Sequence, residues 1–430
     1  MIKRIHIIGF HDARNKGDLA ILESEIQALK DEIPNVEISV CATYPASLAK
    51  IHSNLLVYPP LIDLRISHYK SVKSKIKKLF YPLIILEQIF LSLVSTFFVK
   101  FRFPFGYRLE TLKRFKEADL IIATGGGYLK EGFFTLPQTA YSKVAHLGSL
   151  IVRAFEIIVS KRVFRKFVVL FPQSIGPFRT KFGRFILRVI LANVDAVILR
   201  EQYSLEMLKA MKLPTRLYVT GDVALLLDGK TSISNKLFIG VCPRVGDFDN
   251  LDRNSYVLAH SKVLDYLVEN LEADVIFLPS NITPGLKDDD LSVCLEIQKN
   301  MIHRNRSKVL ALDKSEDLMF YIEQLQLLLT TRLHAGILAA LENVPFLFIV
   351  CEHKQIGFLR QLDLEDVALE IQNLTSETLL SKTLYVLTES KRVRRQLALR
   401  IPALREHVRM TIKLVLSDLL DEEPSIEKRE

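Results

Sequence analysis

The feature that most constrains this chain is a regular alternation of short apolar runs with longer segments of helix-like pattern. Each apolar run ends in a turn of polar or glycine residues. This alternation is typical of strand–helix–strand units, in which helices cover both faces of a parallel sheet. The predicted strands lie at 5–9, 36–41, 120–124, 167–171, 196–199 and 216–219, and then at 238–241, 274–278, 309–312, 325–330 and 346–350.

These strands form two series, and the polar stretch 228–236 (DGKTSISNK) between them has the composition of an interdomain linker. With 430 residues, the chain is long enough for two or more domains. We therefore expect an α/β protein with two Rossmann-like domains facing each other across a cleft. The first domain is expected at 1–228 and the second at 237–421, with helices at its end, followed by a solvated tail at 422–430.

Composition excludes several classes of protein. Hydrophobic residues make up 49% of the chain, which excludes a disordered protein. The four cysteines lie far apart without a C-x-x-C pair, which argues against a zinc site and against a disulfide framework. The first predicted strand follows Met1 almost directly, unlike a secretory signal peptide. These features together predict a cytoplasmic protein.

The net charge is +9, but no basic stripe interleaved with aromatic residues indicates nucleic-acid binding. Positive charge is concentrated at 70–78 (KSVKSKIKK), directly before the apolar stretch 79–101. Glu87 and Gln88 in the middle of this stretch argue against a membrane span. Two interpretations stay open: a helix lying on the inner, anionic membrane surface through 70–101, or a helix buried between the sheet and a neighbour.

The segment 331–336 (TRLHAG) carries the strongest chemical signal in the sequence. It connects a predicted strand to an apolar stretch, 337–341, that predicts a helix. Arg332 and His334 are therefore expected at the carboxyl end of a parallel sheet, where open α/β folds bind ligands. A helix amino terminus at the same place favours an anion. The pattern predicts a phosphate or carboxylate site with His334 as a proton carrier, the alternative being a structural histidine.

Other predicted strands also end in polar or glycine residues. Asp18 follows the first strand and is expected either to cap the next helix or to act as a base or sugar-hydroxyl acceptor in the cleft. Neither a dinucleotide fingerprint nor a phosphate-binding loop is present in the glycine run that follows Thr124. The expected cleft-lining residues are Asn15, Gly17, Gly125, Gly126, Gly127 and Ser174.

Three more cationic residues, Arg200, Arg244 and Lys354, each follow a predicted strand. Guanidinium and ammonium groups at such positions suit a carboxylate or a phosphate. Glu201 can instead neutralise Arg200, so a structural ion pair stays open there.

Together, these motifs resemble the polysaccharide pyruvyl transferase family. They occur in the family's order and extend from the amino terminus to about residue 354, leaving out the basic and apolar stretch and the carboxyl-terminal tail. The motifs are NKGD at 15–18, TGGG at 124–127, PQSIGP at 172–177, REQYS at 200–204, GDVA at 221–224 and RLHAG at 332–336.

The resemblance implies two Rossmann-like domains similar to those of GT-B glycosyltransferases. It implies transfer of pyruvate from phosphoenolpyruvate to two hydroxyls of a saccharide, giving a cyclic ketal and phosphate, with neither a metal nor a nicotinamide cofactor. The implied functional residues are His334 as proton donor, Asp18 beside the acceptor hydroxyl, and Arg200 and Lys354 at the donor.

Arg244 and Arg332 are further donor-site candidates, although Cys242 and Pro243 before Arg244 depart from the family's pattern. Because fold alone does not decide function, a nucleotide-sugar glycosyltransferase and a non-catalytic saccharide- or membrane-binding protein stay open. Whether the acceptor is lipid-linked also stays open.

Overall fold

The computed structural model describes residues 2–63, 81–103, 105–131, 140–178, 180–211, 215–229, 236–245, 252–284 and 288–421. The chain divides into two compact units. The first unit contains Met1–Ala13, Ser24–Val223 and His407–Glu430, and the second contains Arg14–Glu23 and Ala224–Glu406. Each unit therefore contains one segment that a single boundary near 228–237 would assign to the other.

Specific hydrogen bonds account for these exchanged segments. In the second unit, Lys16 N donates to Ser280 O at 2.8 Å and Ile282 N donates to Arg14 O at 3.2 Å. In the first unit, the Tyr218 hydroxyl donates to Asp418 at 2.8 Å. Such long-range pairing leaves no periodic signal in the sequence. Most of the predicted linker, 230–235, and the predicted tail, 422–430, lie outside the described residues.

The first unit contains an eight-stranded parallel sheet in the order β3-β2-β1-β4-β6-β7-β8, with β5 paired to β6. Its strands are β1 Arg4–Phe10, β2 Glu37–Ala42, β3 Leu56–Tyr58, β4 Leu120–Ala123, β5 Gly126–Leu129, β6 Phe167–Ile175, β7 Ala196–Leu199 and β8 Arg216–Val219. The helices from the start of the chain to the end of this region are α1 Lys16–Glu32, α2 Pro45–Ile51, α3 Tyr81–Lys100, α4 Leu109–Glu117, α5 Ala140–Ile158, α6 Lys181–Leu191 and α7 Gln202–Lys209.

The second unit contains a six-stranded parallel sheet in the order β11-β10-β9-β12-β13-β14. Its strands are β9 Phe238–Cys242, β10 Asp274–Phe277, β11 Ser307–Val309, β12 Leu327–Thr330, β13 Phe346–Val350 and β14 Ala368–Glu370. The remaining α-helices are α8 Arg253–Leu271, α9 Asp290–Asn300, α10 Ser315–Ile322, α11 Leu333–Leu341, α12 His353–Leu362, α13 Ser376–Thr388 and α14 Ser390–Asp421.

The central strands β4, β7, β12 and β13 are buried along their whole length, as expected when helices cover both faces of a parallel sheet. In each unit the chain first builds the sheet outward from the first strand and then returns to its other side. This order is that of the Rossmann fold, and it creates a switch point beside the first strand. The predicted α/β class with two Rossmann-like units is confirmed.

Three strands were not predicted: β3, β5 and β14. They have three or four residues each, and β3 and β14 lie at sheet edges. The prediction of a strand at 309–312 is wrong, because β11 ends at Val309. A short edge strand buries little apolar surface, so its position is weakly encoded by hydrophobic pattern.

Candidate active site

The switch point of the second unit lies between the adjacent strands β9 and β12. The chain continues from β9 through Pro243 to Arg244, and from β12 through Thr331 to Arg332. Ligands of open α/β sheets bind beyond the carboxyl ends of the strands at such a point. The fold therefore brings two predicted donor-site cations to the edge where an anionic ligand is expected.

Arg332 is held by a pair of carboxylates. Its Nε lies 2.9 Å from Asp290 Oδ2, and its Nη2 lies 2.5 Å from Asp290 Oδ1 and 2.9 Å from Asp288 Oδ1. Burial raises the pKa of Asp290 to about 6, although Arg332 beside it acts in the opposite direction. This geometry fixes the guanidinium, so Arg332 has a structural role besides the predicted contact with the donor.

Arg244 and Lys354 both contact Glu352. Arg244 Nη1 lies 3.3 Å from Glu352 Oε1 and its Nε lies 3.1 Å from Asp288 Oδ1. Lys354 Nζ forms an ion pair with Glu352 Oε2. Burial raises the pKa of Asp288, but Arg332 and Arg244 outweigh it and hold this pKa below its ordinary value. The site thus contains three cations and three carboxylates at the end of one sheet.

His334 lies in the first turn of α11, whereas the sequence predicted that the helix begins after it. Thr330 fixes the entry to this helix because its Oγ1 accepts a hydrogen bond from Arg332 N at 2.9 Å. The His334 ring lies against Gly17, where an added Cβ would be 2.4 Å from His334 Nδ1. Glycine at position 17 is therefore what allows the imidazole to occupy this place.

Asn15, not Asp18, caps helix α1. The helix begins at Lys16, and Asn15 Oδ1 accepts a hydrogen bond from Gly17 N at 3.0 Å. The capping alternative for Asp18 is therefore wrong, and its role beside the acceptor stays a prediction; Asp18 lies half-buried in the first turn. The structure also places Asp18 in the second unit, together with His334, where the sequence predicted it in the first domain.

A buried carboxyl group lies at the corresponding switch point of the first unit, between β1 and β4. Glu25 accepts hydrogen bonds from Thr124 Oγ1 at 2.7 Å and from Gly125 N at 2.5 Å. Burial raises the pKa of Glu25 to about 8, so the group is largely protonated near neutral pH. Gly125 thus contacts this carboxyl, while Gly126 and Gly127 begin β5, which pairs with β6.

Polar side chains continue along the same edge of the first sheet. Gln173 Nε2 donates to the Tyr128 hydroxyl at 2.8 Å, and both side chains donate to the Thr124 carbonyl. Arg153 lies over the Tyr128 ring at 4.7 Å and donates to the Gly9 carbonyl at 2.5 Å. These groups form a hydrogen-bonding surface at the carboxyl ends of β1, β4 and β6.

Arg200 also belongs to the first unit, where it is buried. Its Nη1 lies 2.5 Å from Asp222 Oδ2, and its Nε donates to Ser174 Oγ at 2.5 Å. Ser174 in turn donates to Glu201 at 2.6 Å. Arg200 is thus in a buried ion pair, but its close partner is Asp222 and not the Glu201 considered from the sequence, whose Oε2 lies 3.8 Å from Arg200 Nε. The donor-binding role of Arg200 and the cleft-lining role of Ser174 stay predictions.

Four residues of these sites were not predicted from the sequence: Asp288, Asp290, Glu25 and Arg153. Asp288 and Asp290 lie in a run of three aspartates that resembles an ordinary helix start, and Asp289 does cap α9. Glu25 and Arg153 occur in helices with unremarkable patterns. For Glu25, the sequence offered one indication, an ionisable residue at a position of α1 that faces the core.

Two comparisons show what this chain is similar to in sequence. The family model described as polysaccharide pyruvyl transferase matches residues 15–353. The amylovoran biosynthesis protein AmsJ of Erwinia amylovora is 25% identical over 416 residues, covering 92% of this chain and 94% of that protein. The matched region contains the first turn of α1 and the whole Arg244–His334–Lys354 region except its last residue.

Solved structures support the fold. A putative UDP-N-acetylglucosamine 2-epimerase from Listeria monocytogenes has a TM-score of 0.58 at 12% identity, covering 98% of this chain and 97% of that one. A UDP-glucose:anthocyanidin 3-O-glucosyltransferase has a TM-score of 0.53 at 13% identity, with 97% and 99% covered. At this identity the likeness concerns the GT-B-like fold. Since the family model covers most of the chain, the protein belongs to the polysaccharide pyruvyl transferase family.

Proposed function

We propose that this protein transfers pyruvate from phosphoenolpyruvate to two hydroxyls of a saccharide, forming a cyclic ketal and releasing phosphate. The observation that carries the proposal is the grouping of Arg244, Arg332, Lys354 and His334 at one switch point in a chain of this family. Phosphoenolpyruvate has a carboxylate and a phosphate, and cationic side chains beside a helix amino terminus suit both anions.

Arg244 and Lys354 are the proposed donor ligands. Both contact Glu352, so an incoming anion competes with this carboxylate for them. Arg332 remains held by Asp290 and Asp288 and contributes positive potential from a fixed position. Charges that are already positioned lose little energy to reorganisation during the reaction, which is the main source of electrostatic catalysis.

His334 is the proposed general acid. It donates a proton to the methylene carbon of phosphoenolpyruvate, which becomes the methyl group, and the adjacent carbon becomes electrophilic. The first sugar hydroxyl forms a C–O bond to that carbon, phosphate leaves, and the second hydroxyl forms the other C–O bond. The two hydroxyl protons balance the reaction, since one replaces the proton given by His334 and the other leaves with phosphate.

Asp18 is proposed to orient or deprotonate an acceptor hydroxyl. It is adjacent in sequence to Gly17, which lies against His334, and both belong to the second unit. The hydrogen-bonding surface of Glu25, Tyr128, Gln173 and Arg153 in the first unit has the donors and acceptors that a saccharide requires.

The test is incubation of the purified protein with phosphoenolpyruvate and a mixture of free and lipid-linked saccharides. Release of phosphate together with a saccharide whose mass and methyl resonance match a pyruvate ketal would support the proposal. His334→Ala is the matched control. No phosphate release with any acceptor, combined with transfer from a nucleotide sugar, would overturn it in favour of a glycosyltransferase, which the fold alone also permits.

Donor binding gives an independent measurement. A ligand at about a hundred times its dissociation constant stabilises a protein by about 2.7 kcal/mol. Phosphoenolpyruvate is therefore expected to raise the unfolding temperature, while UDP-sugars leave it unchanged. Stabilisation without turnover would instead indicate a binding protein.

A further inference from the structure

Helix α3 in the first unit buries several polar side chains and exposes large apolar ones, although Ile85 and Val99 are also buried and Glu87 is exposed. Its buried positions include Gln88, Ser92, Ser95 and Thr96. Its exposed positions include large apolar side chains at helical spacing, with Phe90 64% and Phe97 59% exposed. The other exposed apolar residues are Leu83, Leu86, Leu91, Leu93 and Val94. This arrangement is the reverse of the amphipathic pattern of a water-facing surface helix.

The buried polar face is fixed by hydrogen bonds within the first unit. Gln88 Oε1 accepts from Asp63 N at 2.6 Å, and Ser92 Oγ donates to Leu61 O at 3.1 Å. Ser95 Oγ accepts from Tyr107 N at 2.6 Å. These hydrogen bonds, together with the buried Ile85 and Val99, hold α3 against its own unit and leave its other large apolar side chains turned outward. The buried-helix interpretation of 79–101 is wrong for this outer face.

The exposed apolar surface extends beyond the end of the helix. Phe101, Phe103 and Phe105 are all more than half exposed. The Phe97 and Phe101 rings lie 4.7 Å apart. A surface on which this many large apolar side chains lie exposed side by side indicates a docking site or a membrane contact. In the described residues, α3 is also long and apolar enough to cross a membrane, although a third of the window from Leu83 to Lys100 is buried.

A basic cavity of about 460 Å³ adjoins the carboxyl-terminal end of this apolar face, with Val99 and Phe103 in its wall. Its lining includes five basic residues and two acidic ones, Glu117 and Asp119. Lys116 Nζ donates to Val99 O at 2.7 Å and so joins the cavity to the last turn of α3. The five basic residues are Arg4, Arg102, Lys113, Lys116 and Lys166.

The cations of this cavity outnumber the carboxylates and oppose one another. Burial lowers the pKa of Lys166, and Arg4 and Lys116 lower it further, against the effect of Asp119. Asp119 is also engaged with the backbone, since it accepts from Lys3 N and Arg4 N at 2.8 Å each. An anion placed in the cavity would relieve this repulsion.

We propose that the outer face of α3, with the basic cavity at its end, docks this protein on an anionic bilayer. The apolar side chains enter the interfacial region while the cavity receives the phosphate of a lipid headgroup. An amphipathic helix beside basic groups is how peripheral proteins combine the two contributions to membrane affinity. The hydrogen-bonded polar face stays on the protein, so α3 lies along the surface and does not cross it.

The experiment is co-sedimentation of the full-length protein with vesicles at low salt, comparing phosphatidylcholine alone with an equimolar mixture of phosphatidylcholine and phosphatidylglycerol. Vesicle binding requires neither donor nor acceptor, so its result is independent of the proposed reaction. The mixed vesicles are expected to bind the protein, and salt is expected to weaken this binding by screening.

The double variant Phe90→Gln with Phe97→Gln tests the apolar face and is expected to reduce vesicle affinity at least about tenfold. Its matched control is Phe320→Gln, at a phenylalanine 57% exposed on α10 of the second unit.

A second double variant, Arg102→Gln with Lys113→Gln, tests the contribution of the basic cavity. It is expected to reduce affinity for the mixed vesicles about fivefold per residue. Its matched control is Lys299→Gln with Arg304→Gln, which line another cavity of about 460 Å³. The proposal would be overturned if the wild-type protein did not bind the mixed vesicles, or if the α3 variants bound them as tightly as wild type. A third result would also overturn the proposal: a wild-type protein that is a dimer, becomes a monomer on substitution of Phe90 and Phe97, and does not bind vesicles. The outer face of α3 would then join two copies of this chain.

Discussion

The switch points of the two units use ionisable groups in opposite ways. In the second unit, Arg244, Arg332 and Lys354 meet three carboxylates, and these carboxylates outweigh burial and hold the pKa of Arg244 and of Arg332 above its ordinary value. In the first unit, Glu25 lies in a buried place where desolvation raises its pKa to about 8 and favours the neutral carboxyl. The switch point of the second unit is thus built from charges, and that of the first unit largely from neutral hydrogen-bonding groups, while the buried Arg200–Asp222 ion pair lies farther along the first sheet, after β7 and β8.

This difference indicates how two similar sheets are suited to different ligands. An anionic donor requires cations that are already fixed, and the carboxylates of the second unit fix them. The hydroxyls of a saccharide require hydrogen-bond donors and acceptors, which Glu25, Gln173 and Tyr128 provide. Under the proposed function, the donor therefore binds the second unit and the acceptor the first, although Asp18 comes from the donor unit.

The largest expected effect is at His334. Replacing it by alanine should lower turnover about a hundredfold to ten-thousandfold, because general acid catalysis contributes on that scale. The free energy of unfolding should change far less than the rate, since the ring is only half-buried and lies in the first turn of α11 against a glycine. Initial rates with phosphoenolpyruvate and urea unfolding measure the two quantities, and turnover near that of wild type would exclude the proton-donor role.

Gly17→Ala provides a sharper form of this test. The new Cβ would lie 2.4 Å from His334 Nδ1, so the ring must move and turnover should fall. In a His334→Ala background the same substitution should cost little more, because the two effects act through one contact. Additive losses in the double variant would mean that Gly17 acts independently of the imidazole.

The second effect concerns the stability of the ion pairs at the switch point of the second unit. Asp290→Ala leaves the buried Arg332 guanidinium with less compensation, and breaking a buried pair costs about 3–5 kcal/mol. Urea unfolding should therefore show a large loss of stability. Asp317→Ala, at an exposed carboxylate in the first turn of α10, is the matched control and should change little. An equally stable Asp290 variant would show that Asp288 alone can hold Arg332.

Arg244→Gln and Lys354→Gln should weaken donor binding more than acceptor binding. A hydrogen bond to a charged group contributes about 1.5–3 kcal/mol, so donor affinity should fall roughly tenfold to more than a hundredfold. Calorimetric titration with phosphoenolpyruvate measures this, with Lys299→Gln, at an exposed lysine of α9, as control. If acceptor affinity fell while donor affinity held, the assignment of the two units would be reversed.

The sequence predicted most of this fold because long central strands are nearly continuous apolar runs. β7, β8 and β13 have the predicted bounds, and β12 begins two residues later than predicted. β5 was missed because its glycines suggested a loop, yet Gly126 pairs with Gln173 in β6. Hydrophobic pattern identifies strands that fill a core and is less reliable for short strands at the border of a sheet, where it identified β8 but not β3 or β14.

The candidate site was predictable to the extent that it depends on strand ends. Arg332 and His334 follow a strand in the sequence and lie at the sheet's carboxyl edge in the structure. Their partners were not predictable, because Asp290 and Gly17 come from distant segments that folding brings beside them. Glu25 was missed for the same reason, since its contacts lie about a hundred residues away.

The pH dependence of stability tests whether Glu25 is neutral at the switch point of the first unit. The pKa of Glu25 is raised from 4.5 to about 8, so between these values the folded state binds more protons than the unfolded state. Stability from this group is therefore complete below pH 4.5 and is lost as the pH rises to about 8, by up to about 1.4 kcal/mol per pH unit.

Glu25→Gln keeps an acceptor for Gly125 N and stays neutral. Urea unfolding of this variant should therefore show a smaller decline of stability with pH, and above pH 8 the variant should be more stable than wild type. Glu131→Gln is the control at a carboxylate that also accepts from a backbone N–H, of Thr180, and its unfolding curve should keep the decline of wild type. If the Glu25→Gln substitution left that decline unchanged, Glu25 would be ionised in the folded protein, and the first unit would present a negative charge where we infer a neutral surface for a saccharide.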